Sequence, residues 1–124
     1  MRVLLIDDED DIRRIASLSL TRLGRMEVTD TSDPDEALRR ASASPPDVIL
    51  LDVMMPGRDG PTVLAELRAQ PATRAIPVVF LTARTGAEDV GRLKALGAIG
   101  VLPKPFNPAT LAHELRALLE GARS

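Results

Sequence analysis

Four short apolar runs without polar alternation constrain this chain more than any other feature. They are Val3 to Ile6, Val48 to Leu51, Val78 to Leu81 and Ile99 to Leu102. A strand that is apolar at consecutive positions has to be covered on both faces, which is the condition of a strand inside a parallel sheet. A fifth segment, Met26 to Asp30, alternates Met26 and Val28 with Glu27 and Thr29 and reads as an edge strand at the rim of that sheet.

Segments of helical period separate the runs. Ile12, Ile15, Ala16, Leu20 and Leu23 recur on one helical face, and Gly24 supplies a stop. Asp33 as cap, Pro34 at the first helical position and Glu36 three residues after the cap predict a second helix. A third opens near Asp59 and carries Val63, Leu64 and Leu67. Thr85 with Glu88 makes a capping box for a fourth, and Asn107 with Pro108 opens a fifth carrying Leu111, Leu115 and Leu118. Strict alternation of five strands and five helices with short connections predicts an α/β fold: a doubly wound parallel sheet with right-handed crossovers and helices on both faces. At 124 residues and 44% hydrophobic content, one domain spanning 1–124 is the expectation.

Composition excludes several functions. Sixteen basic against eighteen acidic residues leave a net charge of −2, which speaks against a nucleic-acid surface. With no cysteine, neither disulfides nor thiolate metal sites can form. No apolar run approaches the roughly 18 residues of a membrane helix, and a strand-like start replaces the basic region and apolar core of a signal peptide. A cytoplasmic protein is expected.

In open α/β sheets the functional crevice lies beyond the carboxyl ends of the strands. Strand one runs directly into five acids, Asp7, Asp8, Glu9, Asp10 and Asp11; strand three ends in Asp52, strand four in Thr82 and strand five in Lys104. Two carboxylates about 5 Å apart repel by roughly 3 kcal/mol at an effective dielectric near 20. An acid in the first turn of a helix recovers only about 0.3 to 1 kcal/mol. Asp10 and Asp11 fall in such a first turn and are read as serving the helix, with Glu9 adding negative potential. Asp7 and Asp8 need another explanation, and a divalent cation would relieve their repulsion.

The acid pair, Asp52 followed by the Met-Pro-Gly-Arg-Asp-Gly loop, Thr82 and the Lys104-Pro105-Phe106 run occur in order and at the strand ends. On these motifs the whole chain resembles a receiver domain of the two-component response regulators, of the stand-alone chemotaxis type. The resemblance implies a flavodoxin-like sheet in the order 2-1-3-4-5. It implies that Asp52 accepts a phosphoryl group from a histidine kinase or a histidine phosphotransfer protein. Mg²⁺ or Mn²⁺ would be held by Asp8, Asp52 and the Met54 backbone carbonyl, with Asp7 acting largely through water. Lys104 and Thr82 would each contact a phosphoryl oxygen. It further implies that the Met54 and Arg84 side chains tune dephosphorylation and that the Lys104–Pro105 bond is cis. The chain would then catalyse only its own phosphorylation and dephosphorylation.

Two departures from the family pattern stand out. The position that usually carries a switching aromatic is Val101, so switching at Thr82, Val101 and Pro105 has to use a smaller repacking or a movement of the loop after Thr82. The "GAIGV" stretch (Gly97 to Val101) lacks the acidic pair with which receivers joined to DNA-binding domains form a dimer, so a monomer or weak dimer is expected. The downstream protein target is not legible. Two other classes compete: a pseudo-receiver that binds partners without phosphorylation, against which the complete acid, threonine and lysine set speaks, and an aspartate phosphatase of the dehalogenase type, which needs an acid where Met54 stands. The lone histidine, His113, lies in helix five and is read as a surface residue.

Overall fold

The structure, a computed structural model, describes residues 1–123. Strands β1 (Arg2–Ile6), β2 (Glu27–Thr31), β3 (Val48–Asp52), β4 (Val78–Thr82) and β5 (Gly100–Pro103) alternate with helices α1 (Asp10–Leu18), α2 (Pro34–Ala43), α3 (Gly60–Ala69), α4 (Ala87–Ala95) and α5 (Leu111–Arg123). All strands are parallel in the order β2-β1-β3-β4-β5. This is the doubly wound sheet that the apolar runs require. Every position of β3 and β4 is buried, whereas β2 is mostly exposed and pairs with β1 alone.

The pleat of the strands sorts the core into two layers. Leu4, Ile6, Ile49, Leu51 and Phe80 face a cluster completed by Val63 and Leu67 of α3. Val3, Leu5, Leu50 and Leu81 face the other, completed by Leu20 and by Leu111 and Leu115 of α5. Burying consecutive residues of one strand in two separate layers is what a run without alternation demands.

Helix boundaries depart from expectation where side chains found other partners. The segment carrying Leu20 and Leu23 is helical, but after Leu18 it passes into a π-helical turn, Ser19–Leu23. Asp33 caps α2 by accepting from the Asp35 N–H, while Glu36, instead of reaching back to the cap, pairs with Arg40 at 2.8 Å. Asp59 caps α3 as expected, accepting from the Thr62 N–H at 2.9 Å. The Thr85 and Glu88 capping box does not form: Gly86 is the cap residue of α4 and no side chain bonds the free N–H groups there. Asn107 accepts from the Ala109 N–H, yet α5 proper begins only at Leu111 after a turn.

One glycine positions the carboxyl edge. A Cβ on Gly60 would lie 2.5 Å from the Asp52 carbonyl oxygen and 2.9 Å from the Phe80 ring, so α3 starts against the end of β3 only because this residue has no side chain. Among the described residues no helix is long and apolar enough to cross a membrane.

Candidate functional site

Four strand ends, those of β1, β3, β4 and β5, bring the site together. In register, Asp52 of β3 lies opposite Leu81, and Thr82 of β4 lies opposite Pro103, the residue before Lys104. The Lys104 N–H donates to the Thr82 carbonyl at 2.9 Å, which carries the ladder one step past β5. Asp52 and Thr82 therefore sit on hydrogen-bonded strands, which hold a side chain more firmly than a loop does.

Asp7 is fully buried and Asp52 is 2% exposed. The Asp7 N–H donates to the Thr31 carbonyl at 3.2 Å, its Oδ1 accepts from the Glu9 N–H at 2.8 Å, and its carbonyl accepts from Arg13 Nη1 at 2.9 Å. Asp52 Oδ1 accepts from the Met54 N–H at 3.3 Å. Single carboxylate oxygens of Asp7, Asp8, Glu9 and Asp52 all lie within 4.8 Å of one another. Among them the Lys104 ammonium stands 2.9 Å from Asp7 Oδ2, 2.9 Å from Glu9 Oε1 and 3.1 Å from Asp52 Oδ2.

One cation does not satisfy this cluster. Asp7 Oδ2, Asp8 Oδ1 and Asp52 Oδ2 are buried and receive no properly directed hydrogen bond; for Asp7 and Asp52 the ammonium is close in distance alone. Burial pushes the Asp52 carboxyl up from the ordinary 3.8 to about 6, and the Asp7 charge adds to the rise. Lys104 and the Met54 N–H oppose it without cancelling it. Burial alone would lower the Lys104 ammonium, but its contacts with Glu9, Asp7 and Asp52 outweigh that and raise it. Hard oxygen donors left unpaired at this spacing suit a hard divalent cation such as Mg²⁺ or Mn²⁺, which the carboxylates of Asp8 and Asp52 could hold.

Thr82 is 4% exposed, and its hydroxyl oxygen accepts from the Arg84 N–H at 3.0 Å. The Met54 side chain is 75% exposed at the rim, whereas Met55 is buried in the core. The Lys104–Pro105 bond is cis. Val101 is half-buried on β5, in register with Phe80. Asp10 and Asp11 occupy the first turn of α1, where Asp10 pairs with Arg13 at 2.7 Å, and His113 is exposed on α5.

Two contributors escaped the sequence reading. Glu9 does more than add potential, since it bonds Lys104 directly across the site. Arg13 ties the Asp7 carbonyl to Asp10 and to Asp30 of the edge strand. The signal for Arg13 was its place one turn into α1, beside the acids. Nothing local signals Glu9, whose partner is 95 residues away.

The family description "Response regulator receiver domain" matches residues 3–116. The response regulator PleD of Caulobacter vibrioides is 42% identical over 119 residues, covering 94% of this chain and 26% of that protein. The phosphate regulon transcriptional regulatory protein PhoB of Escherichia coli is 37% identical over 118 residues, covering 95% of this chain and 51% of that protein. The chain thus spans about a quarter to a half of the length of these curated relatives. Among solved structures, the chemotaxis response regulator CheY4 of Vibrio cholerae superposes with a TM-score of 0.86 at 38% identity, covering 94% of this chain and 97% of that one. Sheet order, family match and structural neighbours agree, and the chain belongs to the receiver domains of the two-component response regulators.

Proposed function

We propose that this receiver takes a phosphoryl group onto Asp52 from a phosphohistidine of a histidine kinase or a phosphotransfer protein. The observation that carries this reading is the set of buried carboxylate oxygens without a directed hydrogen bond, gathered around one ammonium at the strand ends. An Asp52 oxygen attacks phosphorus. The P–N bond breaks, its electron pair passes to the imidazole, which takes up a proton, and an acyl phosphate remains on Asp52.

The residues divide the work by charge and placement. Lys104 offers a point charge to one phosphoryl oxygen, and the Thr82 hydroxyl donates to another. Asp8, Asp52 and the Met54 carbonyl, with Asp7 largely through water, would hold Mg²⁺ or Mn²⁺, which would supply neutralisation of the charge that gathers there. Engagement of Thr82 by the phosphoryl group draws on its loop and, through Val101 and Pro105, shifts the population of the surface formed by α4, β5 and α5, which changes binding of a downstream protein. A pseudo-receiver would have no need of a carboxylate buried at the cost that Asp52 bears.

The test is intact mass after incubation with a small phosphodonor and Mg²⁺. The unaltered chain gains one phosphoryl group and Asp52→Asn gains none; equal gain by both sinks the assignment. The metal assignment is checked separately by titrating Mg²⁺ against the thermal midpoint. Asp8→Asn, which removes a buried unpaired oxygen, weakens Mg²⁺ about tenfold or more. Asp11→Asn, on the exposed first turn of α1, changes it less than about twofold. Equal losses in the two variants contradict the assignment.

A further inference from the structure

Glu9 stands in an unusual position for a residue that touches an active-site lysine. It is the cap residue of α1, with extended backbone, and its side chain makes no bond to the helix N–H groups. Asp and Asn are the acids and amides that cap well; the longer Glu side chain leaves the helix and crosses the crevice. Its Oε1 accepts from Lys104 Nζ at 2.9 Å. Among the described residues this is the one properly directed hydrogen bond that the ammonium makes, since the nearby Asp7 Oδ2 and Asp52 Oδ2 receive none. The Glu9 side chain is 59% exposed while that of Lys104 is 11% exposed, so the pair lies on the solvent side of the cluster, where a phosphoryl donor has to enter.

We infer that Glu9 is a positioning residue that holds Lys104 in the resting site and has to be displaced before the ammonium can meet a phosphoryl oxygen. This rests on the phosphoacceptor reading of Asp52. A carboxylate and a phosphoryl group are competing anions for the same three N–H donors. While Glu9 holds Lys104, the entering anion meets a neutralised ammonium. Once Glu9 lets go, the N–H that it held turns to the donor, while Asp7 and Asp52 stay beside the ammonium. The exposure of Glu9 keeps the clamp weak enough to open, because an ion pair in contact with water is worth little compared with a buried one.

Phosphoramidate with saturating Mg²⁺, read by intact mass against time, tests the clamp. Asp52 forms its bond to phosphorus, the P–N bond breaks, and the nitrogen leaves with the electron pair as ammonia after taking up a proton. Glu9→Gln keeps the shape of the side chain and removes the charge; it speeds phosphorylation about twofold to fivefold, the range for releasing one solvent-exposed ion pair from the ammonium. Glu9→Asp keeps the charge but is one methylene too short to reach Nζ, and it speeds the reaction about as much. A Glu9→Asp rate equal to that of the unaltered chain shows a plain field effect and overturns the clamp. Mg²⁺ affinity, measured without donor from the shift of the thermal midpoint, stays within about twofold in both variants; a loss of about tenfold or more makes Glu9 a metal ligand and overturns the inference. If the unaltered chain takes no phosphoryl group at all, the reading of Asp52 fails and this inference falls with it.

Discussion

In metal-free buffer at about pH 7.5, Asp52→Asn is expected to be more stable than the unaltered chain by about 2 kcal/mol, a rise in thermal midpoint of roughly 6 to 10 °C. The Asp52 carboxyl, ordinarily at 3.8, sits at about 6 in the folded chain, first because it is buried and next because Asp7 is charged beside it. An acid whose folded value lies above its unfolded value makes no demand on stability below the unfolded value. It subtracts stability as pH rises through the interval between the two, and the full penalty stands above the folded value. For Asp52 the interval runs from 3.8 to about 6. A neutral amide of the same shape removes the penalty, so the gap between the two proteins is full above this interval and closes below it. Loss of a partner for Lys104 trims the gain, which is why about 2 kcal/mol is expected where a shift of this size would give about 3. Saturating Mg²⁺ reverses the order, because a bound cation stabilises the carboxylate and has less to hold in the variant. Thermal unfolding with and without Mg²⁺ checks both halves. A less stable Asp52→Asn in metal-free buffer contradicts the account of Asp52 as a carboxylate buried against its own interest.

Lys104→Met is expected to act in the opposite direction, costing about 3 to 5 kcal/mol in metal-free buffer. The methionine keeps most of the apolar stem and removes the ammonium standing 2.9 Å from fully buried Asp7 and 3.1 Å from Asp52. Removing the cation of a buried group of charges leaves carboxylates that water cannot reach and that repel one another. Mg²⁺ recovers more stability in this variant than in the unaltered chain, since a divalent ion replaces the missing charge. Chemical denaturation in the presence and absence of Mg²⁺ measures both quantities. A loss below about 1 kcal/mol would show that the cluster is protonated or solvated enough to do without Lys104.

The two predictions have opposite signs because the site is overfilled with negative charge: removing an acid relaxes it and removing the cation strains it. That imbalance is where function and stability part company in this fold. Four carboxylates converge on one edge while the rest of the domain, with complete apolar layers on both faces of β1, β3 and β4, supplies the stability to hold them there.

Much of this was legible in the order of residues, for a reason that differs from element to element. The central strands are legible because burial on both faces leaves them no polar positions, as in Val48–Asp52 and Val78–Thr82. The edge position of β2 is legible because its exposed face keeps Glu27 and Thr29. Asp59 was recognisable as a cap because its bond is to a residue three positions on. The start of the fourth helix differs from its spacing for the converse reason: Thr85 and Glu88 stand three apart, but Gly86 takes the cap position and no side-chain capping bond forms there. Local spacing permits a capping bond without compelling it.

Of the strand ends named in the sequence, Asp7, Asp8, Asp52 and Lys104 do meet, and Thr82 joins Lys104 through its backbone carbonyl, since period and chain order place the carboxyl ends of parallel strands on one edge. Linear order could say that acids and a lysine share that edge. It could not say that Asp7 is fully buried, that Glu9 bonds Lys104 across 95 residues, or that Arg13 anchors the Asp7 carbonyl. Fold class and the strand-end residues of the site follow from periodicity and strand termini, which are properties of neighbouring residues. Which oxygen faces which ammonium, and how far each carboxyl is driven from its ordinary value, follow from distances and desolvation, which exist only once the strands have packed.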